Sequence, residues 1–147
     1  MNDCYIFDLD GTLADLSHRL HHVQAEPKDW RSFFTGVIDD TPIEHIVNLY
    51  HIIACQADVI FVSGRSDECR DGTIQWLVKH GFTIQANGLY MRKSGDKRPD
   101  YRVKYDLLQQ LKADGWNPLM AFDDRDQVVN MWRRHGIPCA QVAPGSF

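Results

Sequence analysis

"YIFDLDGTLAD", residues 5–15, joins a short apolar run to Asp8 and Asp10, two carboxylates one residue apart, and then to Gly11 and Thr12. Residues i and i+2 of a strand point to one face, and a glycine lets the backbone turn immediately beyond them. Both acids therefore emerge together where a strand ends. The plan recurs at Val59 to Val62, followed by "SGR" (Ser63, Gly64, Arg65), and at Leu119 to Phe122, followed by "DDRD" (Asp123 to Asp126). Short β-rich runs closed by polar turns read as buried parallel strands.

Helical patterns separate them. Thr41 to Ala54 opens with an N-cap threonine and a first-position proline, then places Ile43, Ile46, Val47, Tyr50 and Ile53 at helical spacing. Asp67 to His80 reads as a second helix closed by Gly81. Phe82 to Gln85 reads as a further strand, and "ANGLYMRKSGDKRPDYR" as a short hairpin and a basic loop. Helices are expected over Tyr101 to Ala113 and Arg125 to His135, with a final strand near Cys139 to Val142. This alternation predicts an α/β domain with right-handed crossovers. Residues 15–40 fit it least and are expected to form one or two short helices and a loop, a small lid over the sheet edge.

The chain of 147 residues is long enough for one domain with its own core, so residues 1–147 are taken as a single domain. A net charge of -4 gives no global attraction for polyanions, so any nucleic-acid contact must be local. Cys4, Cys55, Cys69 and Cys139 are widely spaced, without a CxxC pair, and read as reduced thiols. The chain enters a strand within about four residues, leaving no space for a signal sequence, and no apolar run approaches the ~18 residues of a membrane span. No membrane partner and a cytoplasmic location are expected. His18, His21 and His22 lack the accompanying ligands of a recognised zinc site and read as solvated residues.

In an open α/β sheet, ligands bind beyond the carboxyl ends of the strands. Asp8 and Asp10, Ser63 with Gly64 and Arg65, and the acids from Asp123 onward all fall there, and Lys104 opens a helix that can reach the same rim. Carboxylates, a serine and a lysine converging on one rim suit metal-assisted phosphoryl transfer. Such chemistry uses one carboxylate as nucleophile and a second to move protons.

With these residues in place, the chain resembles the haloacid dehalogenase-type phosphohydrolases. "FDLDGTLAD", "FVSGR", Lys104 and "FDDRD" match that superfamily's four motifs in order. It is also similar, through "SGDKRPDYRVK" and the ending "DDRDQVVNMWRRHGIPCAQVAPGSF", to the 3′-phosphatase domain of bacteriophage-type polynucleotide kinase-phosphatases. A kinase phosphate loop, G-x-x-x-x-G-K-[ST], is absent, so the resemblance covers a phosphatase without its kinase.

The resemblance implies a three-layer, Rossmann-like fold with a mainly parallel sheet and a minimal cap. It implies Asp8 as nucleophile and Asp10 as general acid and base, with Ser63, Gly64 and Lys104 holding phosphate. It further implies Mg2+ held by Asp8, Asp123, Asp124 and the main-chain carbonyl of Asp10, without deciding which member of the acidic pair touches the metal. Arg19 and Arg65 are expected substrate contacts.

Neither usual insertion point has room for a large cap, and an open site admits a polymer end as well as a free nucleotide. Arg92, Lys93, Lys97, Arg98 and Arg102 precede Lys104 and would attract a nucleic-acid backbone if they line the groove. Trp30, Phe33, Phe34 and Tyr90 are candidates for base stacking or for packing. The leading expectation is a Mg2+-dependent polynucleotide 3′-phosphatase acting on phosphorylated nucleic-acid ends, with a separate kinase or ligase as a possible partner. The alternatives are a 5′-nucleotidase or deoxynucleotide monophosphatase, and a non-catalytic module that binds phosphorylated ends.

Overall fold

The structure, a computed structural model, describes residues 1–147. In chain order the elements are β1 (Asn2–Phe7), β2 (Ala14–Asp15), α1 (His21–Gln24), α2 (Trp30–Thr35), β3 (Thr41–Pro42), α3 (Glu44–Ala54), β4 (Asp58–Ser66), α4 (Arg70–Lys79), β5 (Leu89–Arg92), α5 (Asp100–Ala113), β6 (Trp116–Asp123), α6 (Asp126–Arg134) and β7 (Cys139–Gln141). Single 3-10 turns cover Ser17–Arg19, Gly36–Asp39 and Asp67–Cys69. No helix is long and apolar enough to cross a membrane.

Five strands form one parallel sheet in the order β5-β4-β1-β6-β7. Strand β1 lies at its centre, with Tyr5 opposite Val59 on one side and Met120 on the other. Alternation along the strands splits the core into two faces. Cys4, Ile6, Ile60 and Val62 pack with Val103, Leu108 and Leu111 of α5 and Val128, Met131 and Trp132 of α6. Phe7, Val59 and Phe61 point the other way, onto Tyr50 of α3 and Trp76 and Leu77 of α4. The result is the three-layer α/β architecture expected from the sequence.

Three local expectations are corrected. Phe82 to Gln85 forms no strand: Phe82 is 5% exposed and packs against Tyr50 at 4.6 Å and Trp76 at 5.6 Å between ring centroids. The Tyr50 hydroxyl also accepts the Thr83 backbone N–H at 3.0 Å, removing a donor that a sheet ladder would use. The strand lies instead at Leu89–Arg92, inside the stretch read as a hairpin, and it pairs in parallel with β4. Thr41 does not cap α3. Thr41 and Pro42 pair antiparallel with Asp15 and Ala14, which delays the helix to Glu44 and closes the base of the excursion between them.

Candidate active site

The carboxyl ends of β4, β1 and β6 are adjacent, and they carry Ser63, Asp8 and Asp123. Asp8 immediately follows β1, where its N–H donates to the Phe122 carbonyl at 3.0 Å. Gly11 then turns the chain with φ of +81°, and a Cβ there would lie 2.1 Å from Asp124 Oδ2. Glycine is required at this point for its backbone angle and for room beside the acid.

Asp8 is 4% exposed. One of its carboxylate oxygens accepts from Lys104 Nζ at 2.7 Å and the other from Thr12 Oγ1 at 2.9 Å. Lys104, on the inner face of α5, also donates to Asp123 Oδ2 at 2.9 Å, an atom that Trp132 Nε1 approaches at 3.2 Å. Burial opposes the charge on Lys104, but Asp123 and Asp8 outweigh it and hold the ammonium protonated, well above the ordinary lysine pKa.

Asp8, Asp123 and Asp124 each offer a ligand atom, all within 4.8 Å of one another. Burial, and then the Asp123 charge, raise the Asp8 pKa well above that of a free carboxylate, with Lys104 opposing. The same two causes push the Asp124 carboxyl up to about 6. Three buried carboxylates facing one ammonium form a hard-oxygen set whose crowding a divalent cation would relieve.

Asp10 has different neighbours. Its Oδ1 accepts from Arg65 Nη2 at 2.7 Å, Arg65 Nε at 3.0 Å and Arg19 Nη2 at 3.1 Å. Burial would raise its pKa, but the charge and hydrogen bonds of Arg65, then the charge of Arg19, lower it below the usual value. Both guanidinium groups are themselves tied to Asp40, which accepts from Arg19 Nε at 2.8 Å, Arg19 Nη2 at 3.0 Å and Arg65 Nη2 at 2.8 Å. His18 Nε2 lies 2.7 Å from the same carboxylate, so His18 faces Asp40.

Ser63 is buried, and its Oγ accepts the Arg65 N–H at 3.1 Å, which leaves the hydroxyl proton to donate elsewhere. A Cβ on Gly64 would lie 1.9 Å from Asp100 Oδ1, so this glycine lets the start of α5 approach the end of β4, where the strand runs through the residues expected to form a turn after it. The basic loop is partly internal. Arg92 donates to the Gly64, Asp96 and Arg98 carbonyls and pairs with Asp100, while Arg98 pairs with Asp96 and Asp106. Lys93, Lys97 and Arg102 are exposed. Tyr90 is core, with its hydroxyl donating to Asp114 at 2.7 Å.

The structure thus gathers Asp8, Lys104, Asp123 and Asp124 on one side and Asp10, Arg19 and Arg65 on the other. Sequence reasoning gave Thr12 no role and missed Asp40, Asp100 and Gly145. Asp40 lies 30 residues from Asp10 in the segment with the weakest pattern, and no spacing rule marks it. Gly145 passes so close to the acidic pair that a Cβ would be 1.9 Å from the Asp124 carbonyl oxygen.

Fold and site together define a phosphatase of the haloacid dehalogenase type. Residues 2–147 match the family described as the polynucleotide kinase PNKP phosphatase domain, and the chain belongs to that family. A protein of Autographa californica nuclear polyhedrosis virus, named for polynucleotide kinase and RNA ligase activities, is 33% identical over 133 residues, 89% of this chain. A solved chain of the Pnkp1/Rnl/Hen1 complex superposes on the whole of this chain with a TM-score of 0.83 and 30% identity. The chain spans only 18% of the viral relative's length and 47% of that solved chain. A haloacid dehalogenase-like hydrolase from Streptococcus pneumoniae, 16% identical, shares the fold over 96% of this chain and 84% of its own, with a TM-score of 0.69.

Proposed function

We propose that this chain removes 3′-phosphate from nucleic-acid ends in RNA repair, using Mg2+ and an aspartyl-phosphate intermediate on Asp8. The observation that carries the reading is the pairing of a lysine-bound carboxylate with an arginine-held one just beyond a single strand of a PNKP-type phosphatase domain. In the first step an Asp8 oxygen bonds to phosphorus as the bond from phosphorus to the 3′ oxygen breaks, and Asp10 gives its proton to that departing oxygen. In the second, water attacks phosphorus, Asp10 takes a proton from it, and Asp8 is freed as inorganic phosphate leaves.

The lowered pKa of Asp10 suits the second step. The negative charge of an incoming phosphate offsets the two arginines and favours the protonated form needed in the first. Ser63 and Lys104, with the Gly64 backbone beside them, hold the phosphate oxygens. Arg19 and Arg65, expected to contact substrate, are instead buried against Asp10 and Asp40, and in this reading they orient the acid–base carboxylate. Asp8, Asp123, Asp124 and the Asp10 carbonyl would hold Mg2+, which supplies positive charge to phosphate that otherwise repels the carboxylate nucleophile.

Kinase and ligase activities are the expected companions, since the viral relative is named for both and the solved relative belongs to a Pnkp1/Rnl/Hen1 complex. Phosphate release from a 3′-phosphorylated oligonucleotide, compared with 3′- and 5′-mononucleotides in Mg2+, tests the assignment. The oligonucleotide should be preferred. Preference for 5′-mononucleotides would replace the polynucleotide reading with a nucleotidase, and no turnover of any of the three would leave a binding module.

A further inference from the structure

Trp30 opens α2 and is 49% exposed, whereas Trp76, Trp116 and Trp132 are at most 7% exposed. It is the one tryptophan whose ring the core leaves partly uncovered. One side of it is anchored: the ring meets those of Phe33 and Phe34, each at a centroid separation of 5.8 Å. The Arg19 guanidinium lies 4.4 Å from the Phe33 centroid, donates to the Phe33 carbonyl at 3.3 Å, and reaches Asp10 at 3.1 Å. Contacts therefore run unbroken from the half-exposed indole through Phe33 and Arg19 to the acid–base carboxylate.

The helix presenting the ring is fixed at its start. Asp29 caps it, accepting the Ser32 N–H at 3.0 Å and the Ser32 hydroxyl at 2.6 Å. Positive charge flanks the indole: Lys28 Nζ is 5.9 Å from the ring, and Arg31 is exposed on the next residue. An aromatic face beside cations is the combination that holds single-stranded nucleic acid, since every base has a π-face and every linkage a negative charge.

We propose that a nucleobase at the phosphorylated end stacks on Trp30, with Lys28 and Arg31 attracting the adjoining backbone. The assignment rests on the polynucleotide reading above. Its test compares wild type, Trp30→Ala and Trp30→Phe on a 3′-phosphorylated oligonucleotide and on glycerol 2-phosphate, which has no base. Selectivity, the ratio of the two kcat/KM values, should fall roughly five- to hundredfold in Trp30→Ala and be largely retained in Trp30→Phe. An unchanged ratio, including equal losses on both substrates, overturns the stacking role.

Because the other tryptophans are buried, intrinsic fluorescence provides a second readout. In the Asp8→Asn background, which stops turnover under the proposed mechanism, the oligonucleotide should quench emission, and adding Trp30→Ala should remove the quench. A quench that survives, or none at all, overturns the proposal. A wild-type enzyme that prefers 5′-mononucleotides instead overturns the polynucleotide reading, whereas a wild type that prefers the oligonucleotide with an unchanged Trp30→Ala ratio overturns only the role of Trp30.

Discussion

Asp40 has no exposed side-chain surface, yet its two oxygens hold Arg19 and Arg65, and those two hold Asp10. Removing its charge leaves two buried cations sharing one carboxylate while preserving the shape of the side chain. Asp40→Asn should therefore lower kcat by about ten- to hundredfold through misplacement of Asp10, and destabilise the fold by about 3 kcal/mol. Steady-state kinetics and urea denaturation measure the two effects separately, and wild-type kcat in a folded Asp40→Asn protein would remove Asp10 from its control. Asp8 predicts the opposite for stability. It faces Asp123 and Asp124 across one ammonium, so Asp8→Asn relieves repulsion within the cluster. That variant should lose turnover and, without added metal, melt at or above the wild-type temperature; residual wild-type activity would exclude Asp8 as the nucleophile.

At the scale of elements, the sequence exposed what is local and hid what is assembled. β1, β4 and β6 were legible because each holds an apolar run leading into polar residues; β1 stops just before Asp8, but β4 runs on through Ser63 to Ser66 and β6 through Asp123, past the ends read from the sequence. Phe82 to Gln85 misled because a short apolar run looks alike whether it pairs in a sheet or seals a helix face, and the partners Tyr50 and Trp76 are distant in sequence. Asp40 was illegible for the same reason: only folding brings it to Arg65. The glycine of "SGR" joins the two levels, since its missing side chain sets how closely α5 meets β4. Gly64→Ala would drive a methyl into Asp100 at the start of α5, one turn before Lys104. We expect about a hundredfold lower kcat and a loss of roughly 1–3 kcal/mol, read by kinetics and by the denaturation midpoint. Unaltered kinetics would show that α5 can give way without moving its lysine.

Across the whole molecule, the sheet divides the chemistry between its two layers. Asp8 is served from the α5 and α6 side, through Lys104 and the acidic pair, while Asp10 is served from the excursion between β2 and β3 and from Arg65. The first side carries excess negative charge, and its response to metal follows. Burial and the Asp123 charge push Asp124 up to about 6, against the opposing effects of a hydrogen bond with Asp8 and the Lys104 charge. A carboxyl whose folded pKa exceeds its unfolded value binds its proton more tightly when folded, so metal-free stability from this group declines as pH rises through about 6. Above that pH the site is most in need of a cation, and below it protons compete with one. A fixed Mg2+ concentration, a hundredfold above its Kd at pH 7.5, should therefore raise the melting temperature by roughly 5–10 °C at pH 7.5, and by distinctly less at pH 5.5. Thermal unfolding with Mg2+ or with chelator at both pH values decides this. An equal shift at the two pH values would mean that the ion binds away from the Asp8, Asp123 and Asp124 cluster, and no shift at either would leave Lys104 alone to balance the site.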